Sequence, residues 1–258
     1  MRPVVVLTQP IQRARRLTQA LQARGYDCVG WPMLQLEPTA ELDSALRELE
    51  SYRVVVLPSP SAVAIVAARL AELELRWPPA TAVAVVGPGS EGELRQWLGA
   101  SDVPTVLAPQ SEPYDADALL ALPQFAAIAD EPTLVLRRAD GRGDWIAVLR
   151  ERGRRVNEVH AYAASPLAPP AHAPEWLARQ AQSGRALALS VASIDVAARL
   201  SQWVDTLEPA LAEWFRSHPA LTVHPRIEQR LRELKWSRVA LHVPGGQGLL
   251  RALESISN

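Results

Sequence analysis

The chain has 258 residues, 48% of them hydrophobic, and its 27 basic and 28 acidic residues leave a formal net charge of −1. This length allows one large core or two cores of about 125 residues each. The balanced charge, without any block of Lys or Arg, argues against a nucleic-acid-binding module. The single cysteine, Cys28, excludes an internal disulfide framework and thiolate-rich metal sites.

Membrane and export signals are not found in the sequence. Nowhere do 18 uncharged apolar residues run together, and the N-terminus MRPVVVLTQP lacks the apolar segment and cleavage site of a signal peptide. We therefore expect a cytoplasmic protein that makes no use of a membrane.

Short runs rich in Val and Leu alternate with amphipathic helical patterns along the whole chain. In chain order, the predicted strands cover residues 4–8, 27–31, 53–59, 82–87, 105–108, 133–137, 156–163, 187–191, 221–224 and 238–244. Continuous apolar strands between helices are typical of parallel sheets covered on both faces. Ten strands divided between two units predict two five-stranded α/β layers.

Three pairs of segments echo one another. The clearest pair, LPSPSAVAIVAARL and LSVASIDVAARL, passes from an apolar segment through a serine-containing bend into a helix that ends in AARL. The three pairs are 57–70 with 189–200, 85–99 with 222–236 and, more faintly, 4–29 with 133–159. Chance similarity between Ala-rich and Arg-rich helices explains any single pair. Three pairs predict that one structural unit has been used twice.

Ligands of such sheets bind outside the carboxyl ends of the strands, where loops lead into helix N-termini. The loops in that place are TQP (8–10), PSPS (58–61), GPGSEG (87–92), RRADGRG (137–143), SVAS (190–193) and HPRI (224–227). Their small, hydroxylated and arginine residues leave backbone N–H groups exposed and suit a ligand that carries carboxylates. An alternative is that the serines only cap helices. Those serines are Ser59, Ser61, Ser90 and Ser193.

Motifs for cofactor chemistry are weak or absent. GPGSEG at 87–92 has the GxGxxG spacing but is a lone match, which is a weak signal, no GxxxxGK[ST] is found, and GGQG at 245–248 is a lone glycine cluster. The five histidines are scattered without metal spacing, and there is no GxSxG that would make Ser190 a hydrolase nucleophile. We expect an active site without a metal, a nucleotide or any other cofactor.

The order of these loops resembles that of the uroporphyrinogen-III synthase family. The matching segments are LTQP (7–10), the segment at Pro32, LPSPSAV (57–63), VVGPGSEGEL (85–94), LVLRRADGRGDWIAVLRERGRRV (134–156), Tyr162 and LALSVAS (187–193). Each segment is a weak signal alone, but the set covers essentially the whole chain. Enzymes of this family close and rearrange hydroxymethylbilane, a linear tetrapyrrole with eight carboxylates.

The resemblance implies two flavodoxin-like α/β domains, each a doubly wound, parallel five-stranded sheet, joined by a two-strand linker, with the substrate in the cleft between them. One domain would comprise residues 1–36 and 166–258, and the other residues 37–165. The segment SPLAPPAHAP at 165–174 fits a return linker by its composition. We expect a monomer.

The chemistry that the resemblance implies needs no cofactor. The substrate loses water to give an azafulvene, a spiro intermediate inverts ring D, and the macrocycle closes to uroporphyrinogen III. Because hydroxymethylbilane closes unaided to the wrong isomer, the protein must mainly hold a flexible molecule in the geometry that leads to inversion. Backbone N–H groups and arginines suit its carboxylates.

Residue roles follow from the same resemblance. Tyr162 matches the family's linker tyrosine, whose phenol would help the hydroxyl leave as water, and simple packing of the linker is the alternative. Arg137, Arg138 and Arg142 are candidates for carboxylate contacts, with a solvated basic loop as the alternative. The other predicted substrate-binding residues are Thr8, Gln9, Pro10, Ser59, Pro60, Ser61, Ala62, Gly87, Ser90, Ser190, Val191, Ala192, Ser193 and Arg226.

Two loops depart from the family pattern. Gln9 stands where the family has an arginine, although Arg13 lies one helical turn further on. In the last loop the family has Gly and Thr, whereas His224 would stiffen the backbone, Ile227 removes a hydroxyl and Arg226 offers a compensating charge. The departures leave open a divergent tetrapyrrole-binding or interaction protein without synthase activity. A two-domain binding protein of the periplasmic type would require a signal peptide.

Overall fold

The chain forms two compact units in this computed structural model, which describes residues 2–99, 104–111, 114–128, 130–141 and 143–257, except the side chains of Gln12 and Ser257. Unit 1 comprises Met1–Gln35 and Ser165–Asn258, and unit 2 comprises Leu36–Ala164. Both divisions fall one residue before the domain boundaries that the sequence predicts. In the described ranges, none of the helices combines the length and the apolar character needed to cross a membrane.

Strands and helices alternate along the chain. The strands are β1 (Val4–Leu7), β2 (Cys28–Gly30), β3 (Leu34–Pro38), β4 (Val54–Leu57), β5 (Ala82–Val85), β6 (Val106–Leu107), β7 (Thr133–Arg138), β8 (Val156–Pro166), β9 (Leu187–Ser190), β10 (Ala220–Thr222) and β11 (Val239–Leu241). The helices are α1 (Ile11–Gln22), α2 (Ala40–Arg47), α3 (Pro60–Glu72), α4 (Pro88–Leu98), α5 (Ala116–Leu120), α6 (Pro123–Ala126), α7 (Asp144–Glu151), α8 (Ala173–Gln182), α9 (Ile194–Val204), α10 (Pro209–Arg216), α11 (Pro225–Glu233) and α12 (Gly246–Ser257). A 3-10 turn at Leu49–Ser51 follows α2.

The sheet of unit 1 has the strand order β2-β1-β9-β10-β11, and all neighbouring strands are parallel. This is the doubly wound order of flavodoxin-like sheets, in which the winding direction reverses between the first and third strands, here β1 and β9. Leu7 and Leu221 both lie opposite Ser190 in the register, so the loops after β1, β9 and β10 leave the same edge of the sheet. The predicted α/β class with parallel sheets is confirmed.

The sheet of unit 2 has the order β3-β8-β7-β4-β5-β6 and is parallel from β8 to β6. When the echoing segments are matched, β8 and β7 correspond to β2 and β1, β4 to β9, and β5 to β10. The spatial order of the two sheets is then the same. The order along the chain, however, differs. Unit 2 forms β4 and β5, the counterparts of the third and fourth strands of unit 1, before β7 and β8, the counterparts of its first two strands.

Strand β3 was not predicted from the sequence, and it makes the second sheet six-stranded rather than five-stranded. It adds to the edge of the sheet next to β8. The chain passes from unit 1 to unit 2 within β3 and returns within β8. Leu34 is buried and Gln35 exposed, the alternation of an edge strand, but the segment LQLEP is short, follows Pro32 closely and ends in Pro38.

The central strands are buried on both faces, as the continuous apolar runs predict. In β4, Val55 and Leu57 pack against α2 and α3, whereas Val54 and Val56 pack on the opposite face against α5 to α7. In unit 1, Trp31 is fully buried and its ring meets those of Trp176 and Trp203 at 5.4 and 5.6 Å between centroids. Burial of each such large side chain stabilises the fold by about 1.5–3 kcal/mol.

Two of the four serines proposed as helix caps are caps. Ser59 and Ser193 precede α3 and α9, and their Oγ atoms accept hydrogen bonds from the backbone N–H groups of Ala62 (3.1 Å) and Val196 (3.2 Å). The cap interpretation is wrong for the other two, because Ser61 lies inside α3 and Ser90 inside α4, whose N-cap is Gly87.

Candidate active site

The carboxyl edge of the unit 2 sheet carries most of the polar groups that can serve chemistry. Its winding direction reverses between β4 and β7, so the loops after these strands diverge and leave room for a ligand. Ser59 follows β4, Arg138 ends β7, and Tyr162 lies on β8 opposite Arg138 in the register. The three residues therefore belong to one end of one sheet.

A hydrogen bond joins Tyr162 to Ser59, with 3.0 Å between the phenol oxygen and Oγ. Because Ser59 Oγ also accepts the capping N–H of Ala62, its position is fixed by the first turn of α3. Pro60 occupies the first helical position, where no backbone N–H is needed. The backbone oxygen of Tyr162 accepts a hydrogen bond from the N–H of Ala139 at 3.1 Å, which ties the loop after β7 to the tyrosine.

A β-bulge turns Tyr162 towards Ser59. Arg137 pairs with His160, but the next residue, Arg138, pairs with Tyr162, so Ala161 is an extra residue in β8. Side chains of a regular strand alternate between faces, whereas Ala161 and Tyr162 both join the core that packs on α2 and α3. The bulge therefore re-aims the phenol towards the N-terminus of α3, as bulges next to active sites commonly do.

Burial raises the pKa of the Tyr162 phenol above its ordinary value, although the hydrogen bond to Ser59 and the positive charge of Arg138 act in the opposite direction. Only 4% of the residue is exposed. The phenol is therefore protonated throughout the neutral range and is suited to donate a proton or a hydrogen bond.

Arg137 supports the loop from inside. Its Nε and Nη2 atoms both lie 2.6 Å from Glu158 Oε1, and its Nη1 donates to the backbone oxygens of Arg138 (2.9 Å) and Gly141 (2.7 Å). Glu158 Oε2 accepts a further hydrogen bond from Arg150 at 3.1 Å. The sequence predicts Arg137 as a ligand contact and gives no role to Glu158, whereas these bonds show both side chains holding the loop together.

Arg138, the next residue of this loop, has different surroundings. Arg138 Nε lies 2.5 Å from Asp140 Oδ1, and about a quarter of its side chain (24%) is exposed. Of Arg137 and Arg138, the two arginines of this loop within the described residues, Arg138 is the one that combines a position beside Tyr162 with greater access to solvent. Arg142, predicted as a further carboxylate contact, lies outside the described residues.

The loop after β5 supplies small residues and backbone groups. Gly87 precedes α4 in an ordinary extended conformation, and a Cβ atom there would come within 3.2 Å of the Tyr114 Cβ, so the close contact with Tyr114 favours glycine. Ser90 is buried (4% exposed) in the first turn of α4. Ser61 is half-buried and Ala62 fully buried in the neighbouring α3.

At the corresponding place in unit 1, the loops after β1 and β9 carry neutral side chains that bond to one another. Thr8 Oγ1 donates to the backbone oxygen of Ser190 at 2.7 Å, and Gln9 Nε2 donates to Ser190 Oγ at 2.6 Å. Thr8, Gln9 and Ser190 are each at most 3% exposed. These bonds join the loops after β1 and β9, where the winding of this sheet reverses. The Oε1 atom of Gln9 is buried without a partner among the described residues.

The remaining predicted residues of unit 1 lie at the same edge. Pro10 precedes α1, Val191 is fully buried with its N–H bonded to the oxygen of Leu221, and Ala192 is half-buried before the capping Ser193. The four predicted residues from 190 to 193 therefore connect the end of β9 to the start of α9.

The departures in the last loop are accommodated without backbone strain. His224 is the N-cap of α11 with φ of −143°, a value that any residue adopts, and its Nδ1 accepts a hydrogen bond from the N–H of Arg226 at 3.1 Å. Ile227 is 7% exposed and packs inward, and Arg226 is exposed. The backbone at His224 therefore requires no glycine.

Large apolar side chains are exposed near the carboxyl ends of the strands. In the described part of the chain these are Ile11, Tyr114, Ile194, Leu241 and Val243. Ile11 and Ile194 begin the helices after β1 and β9, Leu241 ends β11, and Val243 follows it. We call the four unit 1 residues Ile11, Ile194, Leu241 and Val243 the apolar rim. Sequence reasoning missed this feature, because each residue continues an ordinary apolar pattern.

Among the described residues, no group of three or more His, Cys, Asp and Glu side chains is arranged to hold a metal ion. The residue near the site whose contacts sequence reasoning missed most clearly is Glu158. Its signal was present, because a glutamate on the predicted strand 156–163 and an arginine on the predicted strand 133–137 can pair across neighbouring strands.

Known proteins of one family are similar to this chain. The family model described as uroporphyrinogen-III synthase HemD matches residues 15–250. The chain is 27% identical over 161 residues to a uroporphyrinogen-III synthase of Proteus mirabilis, covering 61% of this chain and 78% of the relative.

Two solved structures share the fold. Uroporphyrinogen-III synthetase of Helicobacter pylori matches with a TM-score of 0.53 at 16% identity, over 99% of this chain and 100% of that one. A mutant uroporphyrinogen III synthase of Thermus thermophilus matches with a TM-score of 0.51 at 16% identity, over 98% and 99%. At these identities, the structural similarity shows the fold alone.

Proposed function

This chain belongs to the uroporphyrinogen-III synthase family, and we propose that the carboxyl edge of unit 2 around Tyr162 is where it acts. Its reaction is the cyclisation of hydroxymethylbilane to uroporphyrinogen III in tetrapyrrole biosynthesis. Ring D is inverted in the product, and we propose roles for the residues that carry out this reaction.

The observation that carries the proposal is the buried phenol of Tyr162, 3.0 Å from Ser59 Oγ and beside Arg138. The hydroxyl of the substrate leaves as water when Tyr162 gives it a proton, while the pyrrole nitrogen supplies the electron pair that expels it. The Ser59 hydroxyl and the charge of Arg138 stabilise the phenolate that remains. When the closed ring loses the proton from its newly bonded carbon, a proton returns to the phenolate and the cycle balances.

Substrate binding in this proposal combines charge with apolar contact. Arg138, Arg226 and the backbone N–H groups at the helix N-termini suit the carboxylates, since charge-assisted hydrogen bonds are the stronger kind. The exposed Tyr114 and the apolar rim provide surface for the pyrrole rings. Thr8, Gln9 and Ser190 act indirectly, because their side chains are buried and bonded to one another.

We further propose that the protein acts as a cytoplasmic monomer on this small-molecule substrate, without nucleic acid or an added cofactor. The net charge of −1 supports the exclusion of nucleic acid, since phosphate backbones select strongly basic surfaces. Sedimentation of the purified protein across a concentration series tests the monomer, and a concentration-dependent mass contradicts it.

Incubation of the purified protein with hydroxymethylbilane, followed by separation of the uroporphyrinogen isomers, tests the function. We expect the type III isomer to dominate without added metal or nucleotide. Type I product alone, formed at the uncatalysed rate, would instead support the divergent tetrapyrrole-binding protein.

A further inference from the structure

The loop that ends β7 is built around the guanidinium of Arg137. Besides its bonds to the oxygens of Arg138 and Gly141, this group lies so close to Gly143 that a Cβ atom there would be 3.0 Å from Arg137 Nη2. A Cβ at Gly141 would be 3.2 Å from the backbone oxygen of Arg138. The two glycines therefore give the guanidinium room inside the loop, and the guanidinium sets the loop's shape.

Glu158 holds that guanidinium in place. Its Oε1 receives both Nε and Nη2 of Arg137 at 2.6 Å, and its Oε2 receives Arg150 at 3.1 Å. Among the residues that the structure describes, His160 also faces it, with Nε2 3.9 Å from Oε1. Glu158 precedes Tyr162 by four residues on β8. One carboxylate thus links the strand that carries the phenol to the loop that carries Arg138.

We propose that Glu158 is a positioning residue for the synthase reaction: through Arg137 it fixes the loop residues from Arg138 to Gly141 against Tyr162, and so controls which isomer the substrate closes to. This inference rests on the proposed function, since it assumes that Tyr162 and Arg138 meet the substrate. Glu158 itself need not touch the substrate, because it acts through Arg137.

A substitution at Glu158 should therefore change the product as well as the rate. In Glu158→Gln, an amide NH2 replaces one of the two oxygens, and the charge that orients Arg137 is lost. A loop displaced by about 1 Å costs on the order of 100-fold in rate, and we expect kcat/KM to fall by about 10-fold to 100-fold. Substrate that is held less well closes unaided, so the share of type I product should rise.

Unit 2 offers a matched control in the ion pair between Asp43 and Arg69. Arg69 Nε and Nη2 lie 2.6 Å from Asp43 Oδ1 and Oδ2, and the two side chains are 28% and 25% exposed. The pair joins α2 to the last turn of α3, at the opposite end of that helix from Ser59. Asp43→Asn therefore removes a similar carboxylate from the same unit without touching the loop.

The dependence of the isomer ratio on pH is a measurement that a purely structural role of Glu158 would not change. Burial alone would raise the pKa of Glu158, but the hydrogen bonds and charges of Arg137 and Arg150 hold it below its usual range. Glu158 thus stays charged in weakly acidic solution and becomes protonated only at lower pH. The type I share of the wild-type product should rise as Glu158 is protonated, whereas in Glu158→Gln it should be high already and change less.

The experiment compares wild type, Glu158→Gln, Glu158→Asp and Asp43→Asn in the isomer-resolved assay, with hydrogen exchange of the peptide around Arg138 measured in parallel. We expect faster exchange and more type I product in Glu158→Gln, partial recovery in Glu158→Asp, and a wild-type ratio in Asp43→Asn. Equal isomer ratios in Glu158→Gln and Asp43→Asn, with a wild type that makes type III, overturn the inference but leave the proposed function intact.

Two further outcomes are decisive. If the wild type makes only type I, the proposed function fails and this inference fails with it. If Glu158→Gln does not fold, Glu158→Asp decides alone, because an unchanged isomer ratio and unchanged loop exchange in that shorter side chain would also overturn the inference.

Discussion

The two units use the same local device at the carboxyl edges of their sheets and place it in different surroundings. Ser59 before α3 and Ser193 before α9 each cap a helix with nearly the same geometry, at 3.1 and 3.2 Å from the backbone N–H they accept. In unit 2, Ser59 also meets the phenol of Tyr162, whereas the neighbouring loop of unit 1 brings Gln9 onto Ser190.

The difference comes from the neighbouring strands rather than from the repeated segment. Beside β4 of unit 2 lie β7 and β8, which bring Arg138 and the bulged Tyr162, whereas β1 beside β9 of unit 1 brings Thr8 and Gln9. A charged, partly exposed edge suits acid catalysis and carboxylate binding. The neutral loops after β1 and β9, which bond to each other, suit a fixed shape. Unit 2 should therefore carry the acid catalysis, and these two loops of unit 1 should act as support.

The largest expected effect tests the chemical side of this comparison. Tyr162→Phe keeps the ring in the core and removes the proton donor, so type III formation should slow by about 100-fold to 10,000-fold, the range typical of a positioned acid. Steady-state rates with isomer separation measure the loss. Because the aromatic ring remains, thermal unfolding should change little, and a variant with wild-type rates would make Tyr162 a packing residue.

A smaller effect is expected at Arg138. Arg138→Ala removes the exposed cation beside Tyr162, so KM should rise by about tenfold while kcat changes less, as expected for a lost charge-assisted contact. The rise in KM should be greater at low salt, because salt screens the interaction between an exposed charge and a carboxylate. Arg95→Ala is the matched control, since Arg95 forms an exposed pair with Glu91 on α4. A loss in kcat alone would contradict a binding role.

The fold could be predicted from the sequence because the buried strands are recognisable as runs of Val and Leu, as in β4 and β7. The three echoes correctly indicated a repeated unit. They could not show where each strand of unit 2 lies in its sheet, with β4 as the counterpart of β9 and β7 as the counterpart of β1, because strand order in space depends on pairing between distant segments. Strand β3 escaped detection since Leu34 and Leu36 form a short alternating pattern between prolines.

The site was less predictable than the fold. The serine caps could be read locally, because a helix N-terminus depends on a few neighbouring residues. The bulge at Ala161 and the bonds from Glu158 to Arg137 arise where β8 pairs with β7. Neither segment alone determines the register of that pairing. The burial of Gln9 against Ser190 likewise depends on two loops that are far apart in the chain.

Two equivalent substitutions sharpen the comparison between the units. Ser59→Ala and Ser193→Ala each remove a helix cap and should lower the free energy of unfolding by about 1 kcal/mol. Only Ser59→Ala should slow type III formation, by less than about tenfold, because the Ser59 hydrogen bond opposes the raised pKa of Tyr162 and its loss makes the phenol a weaker acid. Unfolding curves and isomer-resolved rates measure both effects, and equal rate losses in the two variants would remove the distinction between the units.

The smallest effect concerns acid stability. Asp43 and Glu158, both in unit 2, have pKa values held below the usual range. For Asp43 the main cause is hydrogen bonding to Arg69. For Glu158 burial raises the pKa, but the hydrogen bonds and charges of Arg137 and Arg150 outweigh it. A carboxyl whose pKa is lower in the folded state stabilises the fold fully above its unfolded pKa, here about 4, and loses that contribution as the pH falls through the folded value. The protection factors of the β4 and β7 amides, which correct exchange rates for their intrinsic pH dependence, should therefore fall below pH about 4. The fall in protection should be weaker in the double variant Asp43→Asn with Glu158→Gln, which has already lost both contributions at neutral pH. An identical pH dependence in wild type and double variant would show that other carboxylates govern the acid response, and the two ion pairs would then not distinguish unit 2 from unit 1.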